Sequence, residues 1–155
     1  MLKAKEVNCI LDAFFREIEG RMPDFAPFQL GTAQAVNHGG AQGSFICAAL
    51  FSGAYQGKLT FILESDAALA LAGRLLQTEL ESLTTEAQTE LQGVFYQSLQ
   101  SISNRFAQEG TPIEIYPLPI LINTNALLAE DPNTPILKLP LIYQKGECQL
   151  FLAFK

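Results

Sequence analysis

The spacing of hydrophobic residues divides the chain into helical and extended stretches. In the first twenty residues apolar side chains recur at steps of three and four, which predicts an amphipathic helix ending near Gly20; they are Val7, Ile10, Leu11, Phe14, Phe15 and Ile18. Two prolines follow in "MPDFAP", and the pattern then changes to short apolar runs typical of strands. Three runs, "FQLGTAQAV", "GSFICAALF" and "GKLTFIL", predict three sequential antiparallel strands.

Two helices are predicted in the middle of the chain, a short one over residues 65–78 and a long one over residues 84–108. Gly110 ends the long helix, since glycine adopts the left-handed backbone that terminates helices. The candidate N-terminal caps are Ser65 or Asp66 in the short helix and Thr84 or Thr85 in the long one. The long helix has one apolar face, formed by Leu91, Phe95, Leu99, Ile102 and Phe106.

The last third of the chain returns to strand patterns, in "PIEIYPLPILI", "PILKLPLIY" and "CQLFLAF". Pro117, Pro119 and Pro140 indicate sheet edges or bulges, because proline has no N–H to donate to a ladder. The segment "NTNALLAEDPNTP" has the composition of a surface loop. Strand groups separated by paired helices favour a single α+β domain over residues 1–155, with a mainly antiparallel sheet and all three helices packed on it.

Composition excludes several classes of function. The net charge is −6 and the ten lysines and arginines are scattered singly, which argues against nucleic acid as a partner. No apolar run approaches the roughly 18–20 residues needed to cross a bilayer, and the first residues lack the apolar stretch of a signal peptide. We therefore expect a cytoplasmic protein without a membrane partner.

Few residues of the chain are suited to metal or nucleophilic chemistry. Cys9, Cys47 and Cys148 are odd in number and widely spaced among apolar neighbours, which indicates reduced core thiols. His38 is the only histidine, and "HGGAQG" around it lacks the lysine of a phosphate-binding loop. We expect no metal site, no cofactor and no hydrolase triad.

One stretch resembles a known family. In "SGAYQGKLTFILESDAALALAGRLL", residues 52–76, a turn and a glycine precede an apolar strand and a small-residue helix, and the long helix follows. "EGTPIEIYPLPILI" then supplies a glycine, a strand and prolines. This order is similar to that of the CheX/CheC chemotaxis phosphatase family, and with the first helix the likeness covers nearly the whole chain.

The resemblance implies a sheet with paired helices on one face and, in the CheX branch, a homodimer. Members of the family dephosphorylate the phospho-aspartate of the response regulator CheY. Their long helix carries an ExxN motif, in which the glutamate contacts the regulator and the asparagine amide orients the attacking water. The magnesium ion belongs to the regulator, so the protein needs no cofactor of its own.

The long helix departs from this motif at its central position. Glu90 matches the family's glutamate, but three residues later stands Gly93, which has no side chain. At about 100° per residue, a narrow stripe opposite the apolar face carries two acids, a glycine and three amides. This "amide stripe" consists of Glu86, Glu90, Gly93, Gln97, Gln100 and Asn104.

The amide stripe has two possible interpretations. It is the surface that the resemblance assigns to regulator docking, with Glu90 and Gln97 as candidate catalytic residues, yet amides are also ordinary on a solvated helix face. Gly93 predicts the close approach of another backbone or helix, since a glycine within a helix is unfavourable by roughly 1 kcal/mol relative to alanine; a tolerated, neutral glycine is the alternative. Two functions follow as hypotheses: docking of a phosphorylated receiver domain with weak promotion of its hydrolysis, or a non-catalytic dimeric interaction module.

Overall fold

The computed structural model describes residues 2–21, 29–36, 40–143 and 146–155. These residues form three helices, α1 (Ala4–Arg21), α2 (Ser65–Leu76) and α3 (Thr85–Gln108). They also form eight strands, which are β1 (Gln29–Leu30), β2 (Gln34–Val36), β3 (Gly40–Gly53), β4 (Gly57–Leu63), β5 (Ile113–Pro117), β6 (Leu121–Leu127), β7 (Ile136–Tyr143) and β8 (Gly146–Phe154). The predicted helices therefore all form, within a few residues of their expected ends.

All eight strands belong to one antiparallel sheet, in the order β1-β7-β8-β4-β3-β5. Two further pairings complete it, since β2 pairs with β7 and β6 pairs with β3. The fourteen residues of β3 contact β4 along one edge and both β6 and β5 along the other. The predicted α+β class with a mainly antiparallel sheet is confirmed.

The three helices cover one face of the sheet and enclose the main core. Alternate residues of the central strands point to this face, as the period of a strand requires, and meet the apolar sides of α1, α2 and α3. The largest fully buried side chains on this face are Phe14, Phe45, Phe51, Phe106, Ile10, Leu59, Leu63, Leu71, Ile102 and Leu141. Each such side chain stabilises the fold by roughly 1.5–3 kcal/mol through its burial.

The opposite face of the sheet is covered by the chain between β6 and β7. Leu128 and Ala129 are buried there against Ile46 and other residues of the central strands. The Lys58 ammonium group donates a hydrogen bond of 2.6 Å to the carbonyl oxygen of Leu127, and burial lowers its pKa. The interpretation of "NTNALLAEDPNTP" as a surface loop is therefore wrong, because its first five residues are strand and the next apolar pair is core.

The first predicted strand is also different in the structure. "FQLGTAQAV" does not form one strand beside β3; within its described residues it forms β1 and β2, which both pair with β7. The break lies opposite Pro140, which cannot donate to the ladder, although the amide of Gly31 still donates to the Pro140 carbonyl at 2.8 Å. Pro117 lies in edge strand β5, and Pro119 lies between β5 and β6. The expectation of a sheet edge is therefore confirmed for Pro117, whereas Pro119 lies outside the strands and Pro140 lies in β7, which has neighbours on both sides.

The helix ends differ in how well the sequence predicts them. The hydroxyl oxygen of Thr84 accepts a hydrogen bond from the amide of Ala87, so this cap of α3 is confirmed, and Gly110 has a positive φ of 79° just beyond the helix. The cap predicted for α2 is wrong. The N-cap residue is Glu64, whose side chain makes no capping hydrogen bond, and Ser65 is the first residue of the helix.

Candidate functional site

The long helix α3 buries the side that its sequence pattern predicts. Leu91, Phe95, Leu99, Ile102 and Phe106 are all buried in the main core. Three further residues on the same side, Ala87, Val94 and Ser98, are buried as well. The opposite side of α3 is therefore left to the solvent.

The amide stripe lies on that solvent side. Glu86, Gln97, Gln100 and Asn104 are exposed, whereas Glu90 and Gly93 are half-buried. Within the described part of the chain, the three amides of the stripe make no side-chain hydrogen bond. Two other amide side chains of α3 are hydrogen-bonded, since Gln88 donates to the Leu83 carbonyl and Gln92 donates to the Tyr96 hydroxyl. The amide groups of Gln97, Gln100 and Asn104 are thus available to a partner.

Helix α1 packs beside α3 and runs in the opposite direction. Three ion pairs join the helices along their length. Near the start of α1, Lys5 is 2.6 Å from Glu109, and Asp12 is 2.7 Å from Arg105 further along. At the end of α1, the Arg21 Nη1 atom is 3.8 Å from the Glu90 Oε2 atom. The last pair brings a cation of α1 to the candidate catalytic acid.

The surroundings of Gly93 agree only in part with the approach of another backbone or helix. Among the described residues, a Cβ atom placed on Gly93 would have one non-local heavy atom within 4 Å, the Nη1 atom of Arg21 at 4.0 Å. Helix α1 therefore approaches Gly93 through a side chain, and no backbone of the described residues comes within that distance. The glycine instead leaves a gap in the surface of α3, with a guanidinium group at its border.

The two candidate catalytic residues are not brought together. Glu90 and Gln97 both lie on the amide stripe, but α3 is an uninterrupted helix across them. Seven residues of helix are a rise of about 10.5 Å, too far for both side chains to act on one small group. Glu90 does have a neighbour of opposite charge, Arg21, which the sequence analysis did not single out. No local signal could have identified it, because the contact arises from the packing of α1 on α3.

A second group of charged residues lies at the other end of the two helices. It borders an open cleft of about 740 Å³ that includes Cys9, Asp12 and Arg105. The hydrogen bond from Arg105 lowers the pKa of Asp12, while burial raises the pKa of the Cys9 thiol. A thiol with a raised pKa is a poor nucleophile, so the cleft offers no evident covalent chemistry.

Other candidate chemistry can be placed only in part. Cys9, Cys47 and Cys148 are free thiols, as predicted. Among the described residues no three side chains of metal-binding type cluster together. The same part of the chain contains no helix that is long and apolar enough to span a membrane. His38 lies outside the described residues.

Comparison with known proteins gives matches of structure but none of sequence. The chain matches no protein-family profile and no curated protein by sequence. Its structure is similar to that of a CheC-like superfamily protein from Shewanella sp. PV-4, with a TM-score of 0.86, 14% identity and 99% of each chain covered. The chemotaxis protein CheX from Vibrio vulnificus gives a TM-score of 0.83 at 14% identity, over 98% of this chain and 100% of that one.

A third similar structure is the CheX-CheY-BeF3-Mg²⁺ complex from Borrelia burgdorferi, with a TM-score of 0.70 at 14% identity, over 94% of this chain and 97% of the matched one. All three matches span almost the whole of both chains, as the sequence resemblance implies. It includes the paired helices and the antiparallel sheet. The chain therefore has the fold of the CheX and CheC-like chemotaxis proteins.

Proposed function

We propose that this protein is a CheX-like signalling protein that docks the phosphorylated receiver domain of a response regulator on its amide stripe. The observation that carries the proposal is the position of the stripe, whose uncommitted amides are exposed on α3 of a CheX-like fold. A similar structure contains CheX together with CheY, which supports a CheY-like partner. The partner would bring its own magnesium ion, and this chain would need no cofactor.

Hydrolysis of the aspartyl phosphate should be accelerated only weakly. In the ExxN motif of the CheX/CheC family, which this chain resembles, the amide that orients water lies three residues after the acid, about 4.5 Å along the helix. Here that position is Gly93, and Gln97 lies too far along α3 to replace it. Poor placement of a reacting group can reduce a rate by about 10²-fold. Weak promotion of hydrolysis, or none, is therefore the expected result of docking.

Binding and decay measurements on one receiver domain test this proposal. We expect saturable binding to the phosphorylated domain in the presence of Mg²⁺, and decay of the aspartyl phosphate within about tenfold of its intrinsic rate. The double substitution Gln97→Ala and Gln100→Ala should weaken binding about tenfold, or about 1.4 kcal/mol. Gln56→Ala, an exposed amide in the turn before β4, is the matched control and should bind normally. Absence of binding by the unmodified protein would refute the docking function.

A second candidate function, a dimeric interaction module, is favoured by strand β6. This strand pairs only with β3 within the described chain, and six of its seven residues are exposed. Leu121, Ile122 and Leu127 have exposed fractions of 41%, 37% and 48%. An exposed edge strand is a template for pairing with another strand, because its outer N–H and C=O groups are unpaired. We therefore propose that β6 joins β6 of a second copy to form a homodimer.

Sedimentation at micromolar concentration tests the dimer. We expect a species of twice the chain mass of 17.0 kDa. Ile122→Lys should convert it to monomer, because a charge would be placed on the paired edge. Leu30→Lys is the control, since Leu30 is also an exposed apolar residue but lies on β1 at the opposite edge of the sheet. If the unmodified protein sediments as a monomer, the proposed dimer is excluded, whereas the proposal of receiver docking is not affected.

A further inference from the structure

We propose that Arg21 contacts the phosphoryl group of the docked receiver domain directly, through the gap that Gly93 leaves in α3. This inference rests on the proposed docking function and adds the group that recognises phosphorylation. A cation from α1 would then take the place of the neutral asparagine amide in the ExxN motif of the CheX/CheC family. Arg21 would be a binding residue for the phosphoryl group.

The position of the guanidinium group carries the inference. Arg21 is the last residue of α1, and its Nη1 atom lies 3.8 Å from Glu90 Oε2 and 4.0 Å from where a Cβ of residue 93 would be. Atoms beyond a Cβ at that position would compete with the guanidinium group for the same space. Among the described residues, no atom other than those of Arg21 comes within 4 Å of that position, so glycine at position 93 leaves room between Arg21 and the amide stripe.

Within the part of the chain that the structure describes, the Arg21 side chain donates no hydrogen bond, so its N–H groups are available to a partner. Its contact with Glu90 is longer than the roughly 2.7–2.9 Å of a charge-assisted hydrogen bond, so the acid holds the guanidinium group nearby without saturating it. A guanidinium group has five N–H donors, and their planar fork matches two oxygens of a phosphate. The side chain of Arg21 is 28% exposed, so a partner docked on the stripe can reach it.

The electrostatics favour a change of partner on docking. An aspartyl phosphate carries more negative charge than the unmodified aspartate of the receiver domain, and it offers three strong acceptor oxygens. Arg21 can turn towards these oxygens while Glu90 stays beside it as a positioning residue. Arg21 would therefore distinguish the phosphorylated receiver from the unphosphorylated one, a role that differs from general adhesion to the stripe.

Affinities for the two forms of one receiver domain, measured by titration with Mg²⁺, test the inference. We expect Arg21→Ala to weaken binding of the phosphorylated form at least tenfold and to leave binding of the unphosphorylated form unchanged. Arg21→Lys should restore part of the loss, since it keeps the charge without the fork. Gly93→Leu should reproduce the loss by filling the gap. Arg16→Ala is the matched control, because Arg16 is an exposed arginine of α1 that pairs with Asp12, and it should behave like the unmodified protein.

Three results would overturn the inference. The first two leave the proposed docking function in place, and the third refutes both. Equal weakening of both forms by Arg21→Ala would assign Arg21 to general docking. Unchanged affinity for the phosphorylated form would remove Arg21 from the site while leaving receiver docking intact. Failure of the unmodified protein to bind the phosphorylated form would refute the docking function itself. Thermal unfolding midpoints no lower than that of the unmodified protein would ensure that these differences do not reflect a loss of folding.

Discussion

Replacing Gly93 by asparagine should make the protein accelerate aspartyl-phosphate hydrolysis by about 10²-fold over the unmodified chain. The substitution places an amide three residues after Glu90, which is the spacing of the ExxN motif that the sequence resembles. Among the described residues, only the Arg21 side chain comes within 4 Å of a Cβ atom at position 93, and it would move aside for the asparagine at a cost in affinity that saturating concentrations overcome. The measurement is the decay rate of a phosphorylated receiver domain at saturating concentrations of the variant, with Mg²⁺.

Gly93→Ala is the control for Gly93→Asn. Alanine should stabilise α3 by about 0.5–1 kcal/mol because glycine is the poorer helix former, which raises the unfolding midpoint by a few degrees. It should not accelerate hydrolysis, since it brings no amide. If Gly93→Asn binds the phosphorylated receiver at saturation but leaves its decay rate unchanged, then Glu90 and position 93 do not face the aspartyl phosphate, and the assigned docking geometry is wrong.

Phe14→Ala should reduce the free energy of unfolding by about 3–5 kcal/mol, the largest loss of stability that we expect from a single substitution here. Phe14 is 1% exposed, and its ring centroid lies 5.3 Å from that of Phe61 and 5.9 Å from that of Phe95. It therefore joins α1 to both β4 and α3 in the main core. Denaturant unfolding followed by circular dichroism measures the loss, and the thermal midpoint should fall by roughly 10 °C.

Two matched variants define what the Phe14 result means. Phe14→Leu keeps most of the buried apolar volume and should be distinctly milder. Leu30→Ala removes apolar atoms from an exposed residue and should change stability by no more than about 0.5 kcal/mol. A loss below about 1 kcal/mol for Phe14→Ala would show that α1 is not packed on the sheet as described, and the position of Arg21 would then lose its support.

The helices could be predicted from the sequence because their signals are local. The apolar face of α3 repeats with the helical period, and Thr84 supplies a side-chain oxygen at the right distance from the amide of Ala87. The same periodicity placed the amide stripe correctly on the solvent side. The α+β class followed from the order of these elements, since strands grouped around paired helices favour an antiparallel sheet.

Most of strand β6 and the pairing of β1 and β2 could not be predicted from the sequence. Ala126 is the only buried residue of β6, so the strand has no apolar face to mark it, and "NTNALLAEDPNTP" therefore looks like a loop. The pairing of β1 and β2 with β7 depends on a strand far away in sequence, which no local pattern reports. The contact between Arg21 and Glu90 was missed for the same reason, since it exists only when α1 lies beside α3.

The pairing of α1 with α3 also has a consequence for the order of folding. Two of the ion pairs between these helices join residues that are far apart in sequence, by 93 positions for Asp12 and Arg105 and by 104 for Lys5 and Glu109. A long loop must therefore close before these contacts can form. Such non-local contacts form slowly, and α1 is synthesised well before α3. We therefore expect helix α1 to dock late in folding, and the contact of Arg21 with Glu90 to form only when it does.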